Sequence, residues 1–229
     1  MRLRWVPLVV SLVPLATIHL CYLLAAQNGH VPWCLPYIGS CTSISATGRH
    51  SPESLVFRAA IMPSAALMLV YWVLVERWLR TLQRDMVVAR HVMLGCGLIG
   101  AFGLLAYAAV LGEVGDAYRL QRRLGVTLFF ACTILAQLLM TRSAGALARS
   151  RPVALSVGTA RLLLAVSAAT VLLSVASLIG WAFVERYGRI EDAVAWWVML
   201  LVLAHPLVTF FAWRQSGFDA RVTISRRSD

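Results

Sequence analysis

The sequence predicts an all-α polytopic membrane protein, with six transmembrane helices in an antiparallel bundle and a long first extracytoplasmic loop. Three observations predict it. The 229-residue chain has 60% hydrophobic and only 14% charged residues, where a soluble domain carries about a quarter of its residues as charge. No Asp, Glu, Lys or Arg falls between Trp5 and Gly48, and further uncharged stretches cover 59–75, 91–112, 124–141, 162–184 and 193–213. About 20 apolar helical residues cross a bilayer's hydrocarbon, so these are span lengths. The runs also do not alternate polar with apolar residues, which favours helices over a closed barrel.

The first span is placed at 5–26. Its Met1–Arg4 leader has the look of a secretory signal, but the apolar run is longer than a signal core, and Ala25-Ala26 is the only small-residue pair near a cleavage position. An uncleaved helix is expected. The second span covers 55–75, with Ser51 expected to cap it, Pro52 at its first position and Glu53 at the positive end of its dipole. Arg58 then lies about one and a half turns inside. An arginine there must snorkel outward or find a partner among Glu53, Glu113, Glu185 and a lipid phosphate. The third span, 91–112, carries Gly95, Gly97, Gly100 and Gly103 at spacings that allow close helix approach. The fourth is 124–141. The fifth, 158–184, has Ala165, Ser167, Ala168, Ala169, Ser174, Ala176 and Ser177 for the same role. The sixth, 194–213, contains His205 beside Pro206, which removes a backbone donor and kinks the helix. Residues 1–214 thus form one transmembrane domain, and 215–229 form a short tail.

Charge sets the orientation. All 21 basic residues are Arg. Fourteen fall at the N-terminus (2, 4), the second-to-third connection (77, 80, 84, 90), the fourth-to-fifth connection (142, 149, 151, 161) and the tail (214, 221, 226, 227). Seven fall on the other side, at 49, 58, 119, 122, 123, 186 and 189. The positive-inside rule therefore puts both termini in the cytoplasm. The formal charge of +11 does not mark a nucleic-acid binder, because the arginines cluster at span ends and form no continuous patch. Anionic headgroups attract such clusters, and topology determination alone accounts for them.

Residues 27–54 form the long loop. It is poor in charge, rich in Gly, Pro, Ser and Thr, and carries Trp33, Tyr37, Ile38 and Ile44, so it is expected to fold back on the bundle. Cys34 and Cys41 lie outside the hydrocarbon on the oxidising side, where a disulfide is expected. Cys21, Cys96 and Cys132 fall within spans, as buried apolar side chains. His30 or His50 could join the loop cysteines, but the spacing matches no usual zinc site, and neither a metal nor another cofactor is expected.

Within this loop, Gly29-His30-Val31, Leu35-Pro36-Tyr37-Ile38, Ile44-Ser45-Ala46-Thr47-Gly48 and Ser51-Pro52-Glu53-Ser54 with Phe57 resemble the signature of the FRAG–DRAM–SFK family. Arg122-x-x-Gly125-Val126-x-x-Phe129-Phe130 is a second partial match, with Arg122 where relatives often have His. The family comprises six-helix membrane proteins with a long first outer loop, linked to lipid remodelling, to kinase organisation at membranes and to autophagy. The resemblance implies lipid-related work. Arg122 does not carry over a histidine's acid–base role, because Arg does not exchange protons near neutral pH. The exclusive use of Arg is read as a bacterial composition, which points to an inner membrane.

The first function expected is non-catalytic lipid binding or organisation. Arg49, Arg58, Arg122 and His205 are the lipid-contacting candidates. Membrane lipids are the expected partners, and a membrane protein or a second copy of the chain is a further partner class. A lipid-remodelling enzyme is the alternative, with its site on the outer rim. There His30 or His50 would be the general base beside Glu53, and water or a hydroxyl of Ser43, Ser45 or Thr47 the nucleophile. Arg49 or Arg58 would neutralise phosphate or an oxyanion. No Ser-His-Asp spacing or Gly-x-Ser-x-Gly elbow supports that chemistry. Transport is a third class, but the spans hold almost no ionisable groups besides His19 and His205 and show no internal repeat.

Overall fold

The computed structural model describes residues 3–83, 86–185 and 187–219. Arg2, Arg84, Arg186 and the tail from residue 220 onward, used above in the orientation and domain readings, lie outside the described residues. A short 3-10 turn at Leu3–Trp5 leads into α1 (Val6–Gln27), followed by α2 (Pro36–Gly39), α3 (Ile44–Thr47), α4 (Glu53–Leu82), α5 (Val87–Ala109), α6 (Asp116–Ser150), α7 (Val157–Phe183) and α8 (Glu191–Gln215). The protein is an all-α bundle of six helices long and apolar enough to span a bilayer, and no β-strand occurs among the described residues.

The six long helices close into a ring. α1 packs on α4, α4 on α5, α5 on α6, α6 on α7, α7 on α8, and α8 returns to α1. Large aromatics fill the interior, with Trp72, Trp78, Trp196, Trp213 and Tyr71 fully buried. The outward faces are apolar as well. Phe102, Leu164, Leu172, Leu178, Trp181 and Phe183 are all exposed, the surface a protein presents when hydrocarbon rather than water surrounds it. α7 is the least embedded of the six helices. Ala165, Ala168 and Ala176, expected at a helix interface, instead face outward, while Ser167 turns inward.

α5 and α6 make the tightest crossing. A Cβ on Gly125 would stand 2.7 Å from the Gly103 carbonyl oxygen, and one on Gly103 would stand 2.7 Å from that of Gly125. Only glycine lets the two backbones approach this closely, and such small-residue contacts drive association where lipid tails remove the hydrophobic incentive.

Several helices overshoot the uncharged stretches. α6 has 35 residues, about 52 Å at 1.5 Å per residue, and carries Arg119, Arg122, Arg142 and Arg149 on the ends that extend past 124–141. An uncharged run marks the hydrocarbon-embedded portion only, and nothing in these flanks breaks a helix. α5 stops at Ala109, short of the expected 112, before a turn in which Gly112 (φ 95°) and Gly115 (φ 141°) take conformations that favour glycine. The α4 start also differs from expectation. Pro52, after a cis peptide bond, occupies the cap position with no side-chain cap, and the His50 carbonyl accepts from Ser54 N at 2.7 Å.

The loop between α1 and α4 lies across one end of the ring, called here the loop face. Tyr22 Oη donates to the Cys34 carbonyl at 2.7 Å and accepts from Cys34 N at 2.9 Å. Trp196 Nε1 donates to the Thr42 carbonyl and Trp197 Nε1 to that of Tyr37, both at 3.0 Å. Cys34 and Cys41 stand at disulfide distance, with Cα atoms 6.6 Å apart. Closing that short loop is worth about 2.5 kcal/mol in the chain-entropy account. We expect Cys34→Ser to lower thermal stability by about that amount, and mass analysis with alkylation before and after reduction to find a gain of two reactive thiols only on reduction.

The opposite, termini face is closed by polar ties. Trp78 Nε1 donates to Ser216 Oγ at 2.9 Å and Gln83 Nε2 to the Ser143 carbonyl at 3.2 Å. Glu76 lies 3.6 Å from Arg90 and 4.0 Å from Arg80.

Candidate functional site

The loop-face half of the ring encloses a cavity of about 120 Å³. Helical spacing builds its wall. Val10, Pro14 and Ile18 form one stripe on α1, and Phe57, Ile61, Ser64 and Met68 another on α4; residues three or four apart share a helix face. α5, α6 and α8 complete the wall through residues such as Tyr107, Phe129 and Met199, while Ser43, Ile44 and Ser45 of the loop form its roof. Among the described residues, no Asp, Glu, Arg or His lines it. Its polar groups are hydroxyls that already have partners. Ser45 Oγ lies 2.7 Å from Tyr107 Oη, Ser43 Oγ accepts from Ala46 N at 3.1 Å, and Ser64 Oγ donates to the Ala60 carbonyl at 2.7 Å. A neutral, chain-like molecule with one weakly polar end matches such a lining.

One turn outward from Phe57 on the α4 stripe sits Glu53, fully buried. Its Oε1 accepts from Asn28 Nδ2 at 2.7 Å and from His30 Nδ1 at 3.1 Å. Oε2 has no partner among the described residues. A carboxylate can only accept, so His30 carries a proton on Nδ1, and its neutral form leaves Nε2 as a lone-pair acceptor. His50 lies against His30, ring centroids 4.6 Å apart. The structure therefore brings His30, His50 and Glu53 together at the junction of α1, the loop and α4.

It separates them from the other candidates. Arg58 donates through Nε to the Leu111 carbonyl at 3.0 Å, through Nη2 to the same oxygen, and through Nη2 to Glu113 Oε1 at 2.9 Å. Of the partners open to it in the sequence, Glu113 is the one it meets. Arg122 Nη1 donates to the Glu113 carbonyl at 2.7 Å and to that of Val110 at 3.3 Å. Both arginines thus clamp the α5–α6 turn. Arg49 is exposed. Thr47 is fully buried and its hydroxyl donates to the Ile44 carbonyl at 2.8 Å. Neither Thr47 nor Ser45 faces His30 as a nucleophile. His205 is fully buried among α6, α7 and α8, its Nε2 3.1 Å from Thr141 Oγ1, which is 2.8 Å from Ser167 Oγ. It does not line the cavity.

Sequence reasoning missed Asn28, Tyr107 and the cavity. It flagged His19 without a partner. His19 Nδ1 lies 2.7 Å from the Leu15 carbonyl and Nε2 2.9 Å from Tyr37 Oη. The carbonyl can only accept, so Nδ1 carries a proton, and toward the neutral ring the Tyr37 hydroxyl is the donor to Nε2. Burial raises the Tyr37 phenol above its ordinary value, which keeps that donor protonated. Trp196 packs edge-on against both rings. The available signal was an imidazole within the first span and a tyrosine in the loop; their pairing across 18 residues was not visible. Among the described residues, no group of three or more His, Cys, Asp or Glu could hold a metal ion.

A family model described as the Frag1/DRAM/Sfk1/Cwh43P N-terminal domain matches residues 2–212. No curated protein and no solved structure matches the chain.

Proposed function

Since the chain belongs to the Frag1/DRAM/Sfk1/Cwh43P family, a family of lipid-associated membrane proteins, we propose that it is a non-catalytic lipid-binding and organising protein of a bacterial inner membrane. Both termini lie in the cytoplasm and residues 27–54 lie outside. The observation that carries this reading is the uncharged cavity beneath the loop. Its stripes of apolar side chains suit an acyl or isoprenoid chain, and the Ser45–Tyr107 hydroxyl pair suits that chain's ester or hydroxyl end. A charged headgroup finds no counter-ion there among the described residues, and burying one unpaired is prohibitive. The experiment is mass spectrometry of lipids retained by the purified protein, compared with Ala195→Phe, which places a ring into the cavity wall. About tenfold less neutral or acyl lipid on the variant is expected; equal retention, or no retained lipid in either protein, overturns the reading.

One observation favours a second reading, a lipid-remodelling enzyme of the outer rim. Glu53 holds His30 in the tautomer that leaves Nε2 able to take a proton, the role a buried carboxylate plays toward an imidazole base. Water would be the nucleophile, since the nearby hydroxyls are engaged elsewhere. Replacing Glu53 separates the two readings, as argued in the Discussion.

A further inference from the structure

The arginines of the termini face do not form one population. Arg142 and Arg149 of α6 and Arg161 of α7 line a single groove of about 550 Å³ between these helices, whereas Arg151 faces two other clefts. All three groove arginines are exposed, and among the described residues no carboxylate lines the groove and none of the three is in an ion pair. Glu76, an acidic residue of this face, is flanked by Arg80 and Arg90 rather than by the groove arginines.

The groove is graded along its length. Arg149 lies at the end of α6, Arg161 one turn into α7, and Arg142 two turns deeper than Arg149, so the charges span about 10 Å along the helix axis. Beyond them, toward the middle of the bilayer, the lining turns apolar through Leu138 and Leu164. Gly145 gives the groove its depth, since a Cβ there would meet only the Arg149 guanidinium, at 3.7 Å. Topology determination requires positive charge on this side of the membrane. It does not require three exposed guanidinium groups around one groove with an apolar inner end.

We propose that the α6–α7 groove binds an anionic phospholipid of the termini-side leaflet carrying two phosphates, of the cardiolipin class. Guanidinium groups bind phosphate oxygens through paired N–H donors, and interhelical basic pockets at the membrane surface recognise such headgroups. Two guanidinium groups on α6 and a third across the groove on α7 offer more paired donors than one phosphate takes up, and the apolar inner end receives the acyl chains. The site is separate from the cavity beneath the loop and does not depend on its occupant.

The test is native mass spectrometry of the full chain in detergent after exchange with equimolar cardiolipin, phosphatidylglycerol and phosphatidylcholine. Cardiolipin should be retained at least tenfold over phosphatidylcholine and several-fold over phosphatidylglycerol. The variant R142Q/R149Q/R161Q should lose about tenfold of the retained cardiolipin, while R77Q/R80Q/R151Q, which removes equal charge outside the groove, should stay within twofold of wild type. Gly145→Leu fills the groove with every charge kept and should also lose cardiolipin, so the proposal stays testable if the triple variant does not fold. Equal loss in the two triple variants, unchanged retention in Gly145→Leu, or no preference for cardiolipin overturns it.

Discussion

Replacing Glu53 with Ala is expected to destabilise the protein by about 3 kcal/mol, because it removes the acceptor of two hydrogen bonds made to a carboxylate, each worth roughly 1.5–3 kcal/mol, and is offset in part by no longer burying a charge. The side chain is fully buried and ties Asn28, at the end of α1, and His30, at the start of the loop, to the first turn of α4. The loss should therefore be local first, with amide exchange rising across residues 28–50 before the helices melt. Glu53→Gln preserves the shape and one accepting oxygen, and should cost roughly 1 kcal/mol. That milder variant is the one to assay. If the protein remodels lipid, weakening the His30 base should slow release of lysolipid or free acid by roughly 100-fold or more. If it only binds lipid, Glu53→Gln should leave the retained lipid near the wild-type amount and there should be no turnover to lose.

Gly125→Val should have the other large effect. The added atoms meet backbone, with the Gly103 carbonyl oxygen 2.7 Å and Tyr107 N 2.9 Å from the new Cβ position. Neither can swing aside as a flexible side chain would, so α5 and α6 must separate. Overpacking commonly costs about 1–3 kcal/mol, and a backbone clash belongs at the upper end, a fall of roughly 6–12 °C in unfolding midpoint for a chain of this size. The damage should reach the cavity, because Leu104 and Tyr107 on α5 and Phe129 on α6 line it. Gly95→Val is the matched control: a Cβ there meets nothing within 4 Å, and its midpoint should stay near that of wild type. A Gly125→Val midpoint equal to that of Gly95→Val would contradict the close crossing.

The membrane architecture was legible because charge is costly in hydrocarbon, and its absence leaves an unbroken mark of span length. Where the helices end was less legible. α6 runs past its uncharged stretch in both directions because an arginine-bearing flank at the interface is as helical as the part within the lipid. Ser51 looked like a cap, yet it precedes Pro52 through a cis bond and leaves the cap position to the proline. At the rim, His30, His50 and Glu53 stood out by residue type, but Asn28 carries no periodic or compositional signal and emerges only from its contact with Glu53. Arg58 was marked as needing a partner by its position inside a span. That the partner was Glu113, together with the carbonyl of Leu111, depended on the α5–α6 turn folding back over α4. The cavity left no trace in the sequence, because it arises from the register of five helices and the loop rather than from any one stripe.

Neighbouring positions of the first and last helices in the ring have a consequence for biosynthesis. α8 closes against α1 and supplies Trp196 and Trp197, whose indole N–H groups hold the loop at Thr42 and Tyr37. A ribosome makes α8 after the other five long helices, so until it emerges α1 and the loop are inserted but unfastened, and the enclosed chamber does not yet exist. Closure of the chamber therefore waits for α8. A nascent chain stalled before residue 191 should leave its loop open to protease added on the loop face, and completing α8 should protect it in a single step.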